Sequence, residues 1–134
     1  MKTPPKTLGL RHIALLVKEP QTSKRFYTEV MGMEVEWEPD PENIYLTSQR
    51  LDNLALHKAN APSTELPSLG LDHIGFFLQT ATDVDLWYAW IKDKGAKIVR
   101  EIKTHRDGAR SFYFLDPDEI TIQMIYHPAI IQKN

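Results

Sequence analysis

Two of the five histidines in this 134-residue chain stand in matching surroundings. Leu10-Arg11-His12-Ile13-Ala14-Leu15 resembles Leu71-Asp72-His73-Ile74-Gly75-Phe76, at an offset of 73 − 12 = 61. Imidazole is the side chain suited to acid–base work near neutral pH and a common metal ligand. A lone histidine on an apolar strand is most often a core residue, and two at repeat positions weigh against that. A second pair follows. Asn53-Leu54-Ala55-Leu56-His57 falls on Glu119-Ile120-Thr121-Ile122-Gln123 at an offset of 123 − 57 = 66, so His57 answers to Gln123. If the two halves are related by a pseudo-twofold axis, both pairs converge on one point. The plainer alternatives stay open: His57 as a polar strand end beside Lys58, and Gln123 as an internal hydrogen-bonding amide.

Other groups are weaker candidates. In Thr104-His105-Arg106-Asp107-Gly108-Ala109-Arg110-Ser111, Asp-Gly is a turn signal and the favoured reading is a solvated hairpin. The functional alternative is a substrate loop in which Arg106 or Arg110 grips a carboxylate with its planar fork. Trp37 sits in a Glu34-Val35-Glu36 alternation that reads as a half-exposed strand, shares a face with Val35 and can line a binding cavity. Phe26, Tyr27, Trp87 and Tyr88 read as core, and His105 and His127 as surface residues.

The elements that must position these groups occur twice in one order, βαβββ. Each half opens with an apolar strand, Leu10–Lys18 and Leu71–Gln79, apolar enough to be covered on both faces. A helix follows, starting near Pro20 and ending at Gly32 in the first half. In the second, Thr82 with Asp85 makes a capping box and Gly95 ends the helix. Val84, Trp87, Tyr88 and Ile91 give it one apolar face. The remaining strands are predicted at 33–38, 43–48 and 53–58, then at 96–102, 109–115 and 119–126. The result is a single α+β domain, residues 1–134: module one about 9–58, a Pro- and Ser-containing linker 59–70, and module two about 71–127. The expected fold is a curled mixed sheet around a cavity with the helices outside.

Composition narrows the partners. Sixteen basic against eighteen acidic residues leave a charge of −2, which argues against a nucleic-acid partner. Without cysteine there is no disulfide, thiolate ligand or cysteine nucleophile. The longest aliphatic run, Ile13 to Val17, falls well short of the ~20 residues of a membrane helix. The polar Met1–Thr7 segment has no apolar stretch behind it, so the expectation is a cytoplasmic protein with no membrane partner.

Arg11-His12-Ile13-Ala14, Phe26-Tyr27 with Met31-Gly32-Met33, Leu71-Asp72-His73-Ile74-Gly75, and Asp116-Pro117-Asp118 leading to Gln123 carry a resemblance to the vicinal-oxygen-chelate superfamily. That superfamily contains glyoxalases, extradiol dioxygenases and bleomycin resistance proteins. The resemblance implies two βαβββ modules around a cavity, and metal ligands from the first and last strand of each module. Those slots are His12, His57, His73 and Gln123. It further implies a divalent transition metal (Zn, Fe, Ni or Mn), a small vicinally oxygenated substrate and a homodimer. Two departures stand out: in the final slot Gln123 replaces the usual glutamate, with Glu119 at a position before it that is usually glycine, and His57 stands where glyoxalases commonly place a carboxylate. The ligand set is then neutral, which leaves a metal's full charge to polarise substrate oxygens. It also lacks an obvious general base, for which His57, Glu101 and Tyr113 are candidates. The leading expectation is a glyoxalase-like lyase or isomerase. An extradiol-type dioxygenase comes second, and the alternatives outside catalysis are a drug-sequestering binding protein and a structural module that has lost its metal.

Overall fold

The computed structural model describes residues 8, 10–60 and 71–131, so most of the expected linker, residues 61–70, lies outside the described residues. The chain forms two compact units, Met1–Thr64 and Glu65–Asn134. Each is one four-stranded sheet with a helix on one face, an α+β architecture of two βαβββ modules.

In module one, β1 (His12–Val17) leads into α1 (Pro20–Arg25), which continues as a π-helical turn over Phe26–Val30. Then come β2 (Glu34–Asp40), β3 (Asn43–Thr47) and β4 (Asn53–Lys58). The sheet order is β1-β4-β3-β2; β1 runs parallel to β4 and the other pairs are antiparallel. The Glu19 carboxylate accepts from the Gln21 amide at 3.3 Å, and Pro20 fills the first turn, where its missing N–H costs nothing. The helix ends at Gly32, whose φ of +76° suits a residue without Cβ. Leu15, Val17, Ile44, Leu46, Leu54 and Leu56 are buried with Tyr27 as the core.

Module two repeats the plan. β5 (Ile74–Phe77), α2 (Ala81–Asp93), β6 (Ile98–Thr104), β7 (Arg110–Leu115) and β8 (Thr121–Tyr126) form a sheet of order β5-β8-β7-β6, with a short α3 (Pro128–Ile131) after it. Val84 and Ile91 of α2 are buried, as are Phe112, Phe114, Ile122 and Met124 of the sheet. Tyr88 meets Phe112 edge-on at 5.3 Å.

Four expectations are corrected. The capping box is Thr80 with Asp83, two residues earlier than Thr82 with Asp85, because Asp85 pairs with Arg110 instead. β1 is covered on one face only: Leu15 and Val17 are buried, whereas His12, Ala14 and Leu16 are exposed. Trp37 does not share a face with Val35. A β-bulge between them sets Val35 opposite Leu46 and Trp37 opposite Tyr45, on the two sides of the sheet. The first strand of module two is also shorter than expected, since residues 71–73 lie outside β5.

Candidate functional site

Each sheet has one face against its helix and one face without a helix. Strand alternation and register decide which side chains the helix-free face receives.

In module one that face carries His12, Ala14 and Leu16 of β1. Beside them in register stand Asn53, Ala55 and His57 of β4, then Asn43 and Tyr45 of β3, and Trp37 of β2. Hydrogen bonds fix the imidazoles. Asn53 donates its amide nitrogen to Glu36 at 2.8 Å, which turns its carbonyl oxygen toward His12 Nδ1 at 2.7 Å. Asn43 donates to both oxygens of Asp40, at 3.0 and 3.1 Å, and its carbonyl meets His57 Nδ1 at 2.7 Å. A carbonyl oxygen only accepts, so in each neutral ring Nδ1 carries the proton and Nε2 keeps its lone pair. Both histidines are thus backed by a carboxylate through an asparagine, the kind of outer support that orients a ligand or base. Trp37 stacks on Tyr45 at 5.1 Å, and Tyr45 meets the His57 ring edge-on at 5.7 Å.

In module two the helix-free face carries Gly75 and Phe77 of β5, Thr121, Gln123 and Ile125 of β8, Ser111 and Tyr113 of β7, and Arg100 of β6. His73 precedes β5. Its Nδ1 meets the Asp72 carboxylate at 2.6 Å, so in the neutral ring Nδ1 donates and Nε2 is the acceptor, and its ring lies 5.3 Å from that of Tyr113. Gln123 donates Nε2 to the Tyr113 hydroxyl at 3.0 Å. Its Oε1 is therefore the outward donor atom, and it lies above Gly75, where an added Cβ would come within 3.6 Å. Arg100 holds its guanidinium over the Tyr113 ring at 5.2 Å.

The strand registers revise the internal repeat. Ala55 pairs with Ala14 and Tyr45, while Gln123 pairs with Gly75 and Tyr113. Gly75 follows Ala14 at 75 − 14 = 61, the same offset as the first histidine pair. The equivalent of Gln123 is consequently Ala55, at 123 − 55 = 68, and His57 answers to Ile125. His57 also lies opposite Leu16, four positions beyond His12 along the paired strands. At about 3.3 Å per residue that is roughly 13 Å, too far for both backbones to serve one ion closely. Module one does not bring His12 and His57 together. Module two does bring His73, Tyr113 and Gln123 together.

The other predicted residues lie elsewhere. Glu101 faces α2 and accepts a short hydrogen bond from the Tyr88 hydroxyl, which pushes the Tyr88 pKa up. Arg110 sends two guanidinium nitrogens to Asp85, at 2.6 and 3.3 Å, and a third to Thr104 at 2.7 Å. Its fork is thus filled on the helix side. Arg106 sits in the exposed turn before β7. Asn43, Tyr45, Asn53 and Arg100 were missed by sequence reasoning. Their signal was weak: each matters through the residue beside it in the sheet, and strand pairing is not written in local sequence.

Residues 9–124 match the Glyoxalase/Bleomycin resistance protein/Dioxygenase superfamily. The chain belongs to this superfamily. Solved structures of the same fold include the lactoylglutathione lyase from Agrobacterium tumefaciens, 18% identical over 92% of this chain and 96% of that one, with a TM-score of 0.74. A glyoxalase/dioxygenase from Nostoc punctiforme is 21% identical over 96% and 97% of the two chains, with a TM-score of 0.76. A glyoxalase-related enzyme from Fulvimarina pelagi is 19% identical over 91% and 90%, with a TM-score of 0.73. At these identities the likeness establishes the superfamily fold alone. Among curated proteins no significant match is found. Among the described residues, no helix is long and apolar enough to cross a membrane.

Superfamily members commonly use a divalent metal, and the helix-free faces carry side chains of types that bind one. His12 and His73 each offer an Nε2 whose tautomer is fixed, and Gln123 offers an amide oxygen. Imidazole suits first-row transition ions, and the imidazoles and the amide oxygen are all neutral donors. Among the described residues no group of three or more His, Cys, Asp or Glu gathers as a ready metal site.

Proposed function

We propose that the chain is a divalent-metal-dependent lyase or isomerase of the glyoxalase type, acting on a small metabolite with adjacent oxygens. The observation that carries this reading is the fixed orientation of His12 and His73, each with Nδ1 engaged and Nε2 free. In this reading, as the superfamily resemblance implies, His12, His73 and Gln123 would be the ligands of the ion, which would supply Lewis acidity toward a substrate oxygen. Asn53 and Asp72 hold the two rings in place. His57 serves as the general base rather than as a fourth ligand, because its register partner in module two is Ile125. The Asn43–Asp40 pair behind it holds Nδ1 protonated and stabilises the imidazolium formed when Nε2 takes a proton. Tyr113 positions Gln123 by accepting its Nε2 proton, and so aims Oε1 outward. The working form is proposed to be a homodimer, which sedimentation at micromolar concentration tests.

Metal analysis of the purified, reloaded protein is the deciding experiment. One transition-metal equivalent is expected, with His12→Ala and His73→Ala each weakening retention by at least the roughly 10–100-fold that loss of a residue supporting a ligand typically costs. Equal retention in both variants overturns the assignment. A second reading, a non-catalytic binder of small planar molecules, is favoured by the exposed Trp37 stacked on Tyr45 and by the neutral residue at Ala55. It predicts ligand binding that persists with no metal taken up.

A further inference from the structure

The edge strand β6 sorts its charges. Arg100 lies opposite Tyr113 and Lys103 opposite Ser111, with register shifts on either side of Arg100. Tyr113 and Ser111 both point away from α2, so the two cations share the helix-free face. Glu101 is turned the other way and is engaged by Tyr88 on α2. A strand whose sequence reads Arg-Glu-Ile-Lys therefore shows a cationic helix-free face, with its acid held behind the sheet. Neither Arg100 nor Lys103 is paired with a carboxylate among the described residues. Arg110, by contrast, has its carboxylate in Asp85.

Arg100 is also oriented. Its guanidinium carbon stands 5.2 Å from the centre of the Tyr113 ring, and the Tyr113 hydroxyl is itself held by Gln123. A guanidinium lying on an aromatic face keeps its N–H edges free in its own plane, the arrangement that meets a planar oxyanion with two parallel hydrogen bonds. Holding the ring reduces the rotamer freedom that an exposed arginine would otherwise lose on binding.

We infer that Arg100, supported by Tyr113 and assisted by Lys103, is an oxyanion-binding site, and that the small molecule this protein acts on carries a carboxylate or phosphate group docked there. The biological part of this inference rests on the reading of the chain as a small-molecule enzyme; the anion site itself rests only on residues of module two. Arg100 takes the role that sequence reading offered to Arg106 and Arg110. The fork of Arg100 supplies direction, and Lys103 supplies a second point charge that raises the local anion concentration.

The test uses the full chain stripped of metal, so that no ion can bind the probe and failure of the metal assignment is read separately. Malonate, inorganic phosphate and the uncharged malonamide are titrated against 15N-labelled protein at low salt. Malonate or phosphate is expected to shift the backbone amides of β6 and β7, with malonamide leaving them unmoved. Arg100→Gln should weaken binding at least about tenfold, Arg100→Lys should keep part of it, and Lys103→Gln should weaken it less than Arg100→Gln does. Tighter binding of malonate than of phosphate identifies a carboxylate, and the reverse order a phosphate. Unchanged titration in Arg100→Gln, or equal shifts from malonamide, overturns the inference. Circular dichroism of each variant confirms that the exposed substitution leaves the fold intact.

Discussion

Module one presents, on its helix-free face, two imidazoles relayed through asparagines to carboxylates and an indole stacked on a phenol. Module two, on the same register, presents one imidazole held directly by Asp72, an amide in place of Ala55, and a guanidinium in place of the indole. Trp37 and Arg100 follow equivalent β-bulges and lie over equivalent tyrosines, Tyr45 and Tyr113. The helix-facing side differs far less: Leu54 and Leu56 answer to Ile122 and Met124, all buried. The two modules thus agree on the side packed against the helix and differ in chemistry on the helix-free side. A core position is held by volume and shape, so replacements stay apolar.

The widest separation between the two sides should appear in stability. Leu56→Ala and Met124→Ala occupy matched buried positions, and each should cost about 2–5 kcal/mol from lost burial and the cavity left behind. Trp37→Ala and Arg100→Ala, on the exposed edge strands, should each change stability by about 0.5 kcal/mol or less. Urea unfolding checks all four. A large loss at Trp37 would mean that the helix-free face of module one is structural, and the contrast would collapse.

The next prediction separates the two possible repeats. If Ala55 is the true counterpart of Gln123, a carboxylate placed at either position should alter metal binding. Gln123→Glu should tighten it by about tenfold, since an anionic donor offsets the ion's charge. Ala55→Glu should lower the melting temperature of the metal-free protein, because position 55 is fully buried and an unpaired carboxylate there is costly. Added metal should restore much of that loss. His57→Glu should do neither, since its counterpart is Ile125. Thermal unfolding with and without zinc measures the set, and metal rescue of His57→Glu but not of Ala55→Glu would reinstate the other pairing.

Those two repeats also show where sequence reasoning runs out. Offsets of 66 and 68 differ by two residues, and a strand's side-chain period is two. Both offsets keep Leu54 and Leu56 over isoleucine or methionine, so alternation cannot choose between them. Only hydrogen-bonded register does. The βαβββ order itself was legible, because Gly32 and Gly95, with φ of +76° and +81°, stop the helices where glycine is needed. The positions of His12 and His73 were legible through their matching flanks. The bulge before Trp37 was not, since one extra residue flips a side chain without leaving a mark in composition. Thr80-x-x-Asp83 and Thr82-x-x-Asp85 are the same local pattern. The choice was made by Arg110, twenty-five residues further on. Asn53 and Asn43 act only through histidines they meet across strands.

The turns joining the last two strands of each module sharpen the comparison on a smaller scale. Both run from the end of one strand to the start of the next over the same length, 53 − 47 = 6 and 121 − 115 = 6. In module one Gln49 and Arg50 take positive φ, and Asp52 at the far end accepts the Ser48 amide at 2.6 Å. In module two Asp116 at the near end accepts from the amides of Asp118 and Ile120, both at 2.8 Å, and Glu119 alone is left-handed, with φ of 64°. Glu119→Gly should therefore stabilise the protein by about 0.5–1 kcal/mol, since a Cβ in this region costs about 1–2 kcal/mol and glycine's extra chain entropy returns part of it. Leu51→Gly, at the matching position of a turn built differently, should be destabilising. Equal effects at the two sites would show that the turns are not distinct.

The smallest expected effect concerns the ion pairs that tie helix to sheet. Module one pairs a helix cation with a strand anion, Lys24 with Glu38 at 2.7 Å; module two reverses the polarity, pairing Asp85 of α2 with Arg110 of β7 at 2.6 Å. Both carboxyls are held below their ordinary range, Glu38 chiefly by hydrogen bonds from Lys24 and Gln21, and Asp85 chiefly by the bond from Arg110. A carboxyl whose folded pKa lies below its unfolded value adds stability that is complete above the unfolded value, about 4. That contribution is lost as pH falls through the lower, folded value. Each pair should therefore contribute nothing to pH dependence near neutrality and should weaken the fold below about pH 4. Solvent screening keeps the size small for such exposed groups. Glu38→Gln and Asp85→Asn should each flatten the acid limb of stability measured by urea unfolding between about pH 5 and pH 2, and the two effects should add, because the pairs belong to separate units. An acid limb unchanged in Asp85→Asn but flattened in Glu38→Gln would show that the polarity of the pair matters: only the arrangement with the anion on the strand would then be coupled to folding.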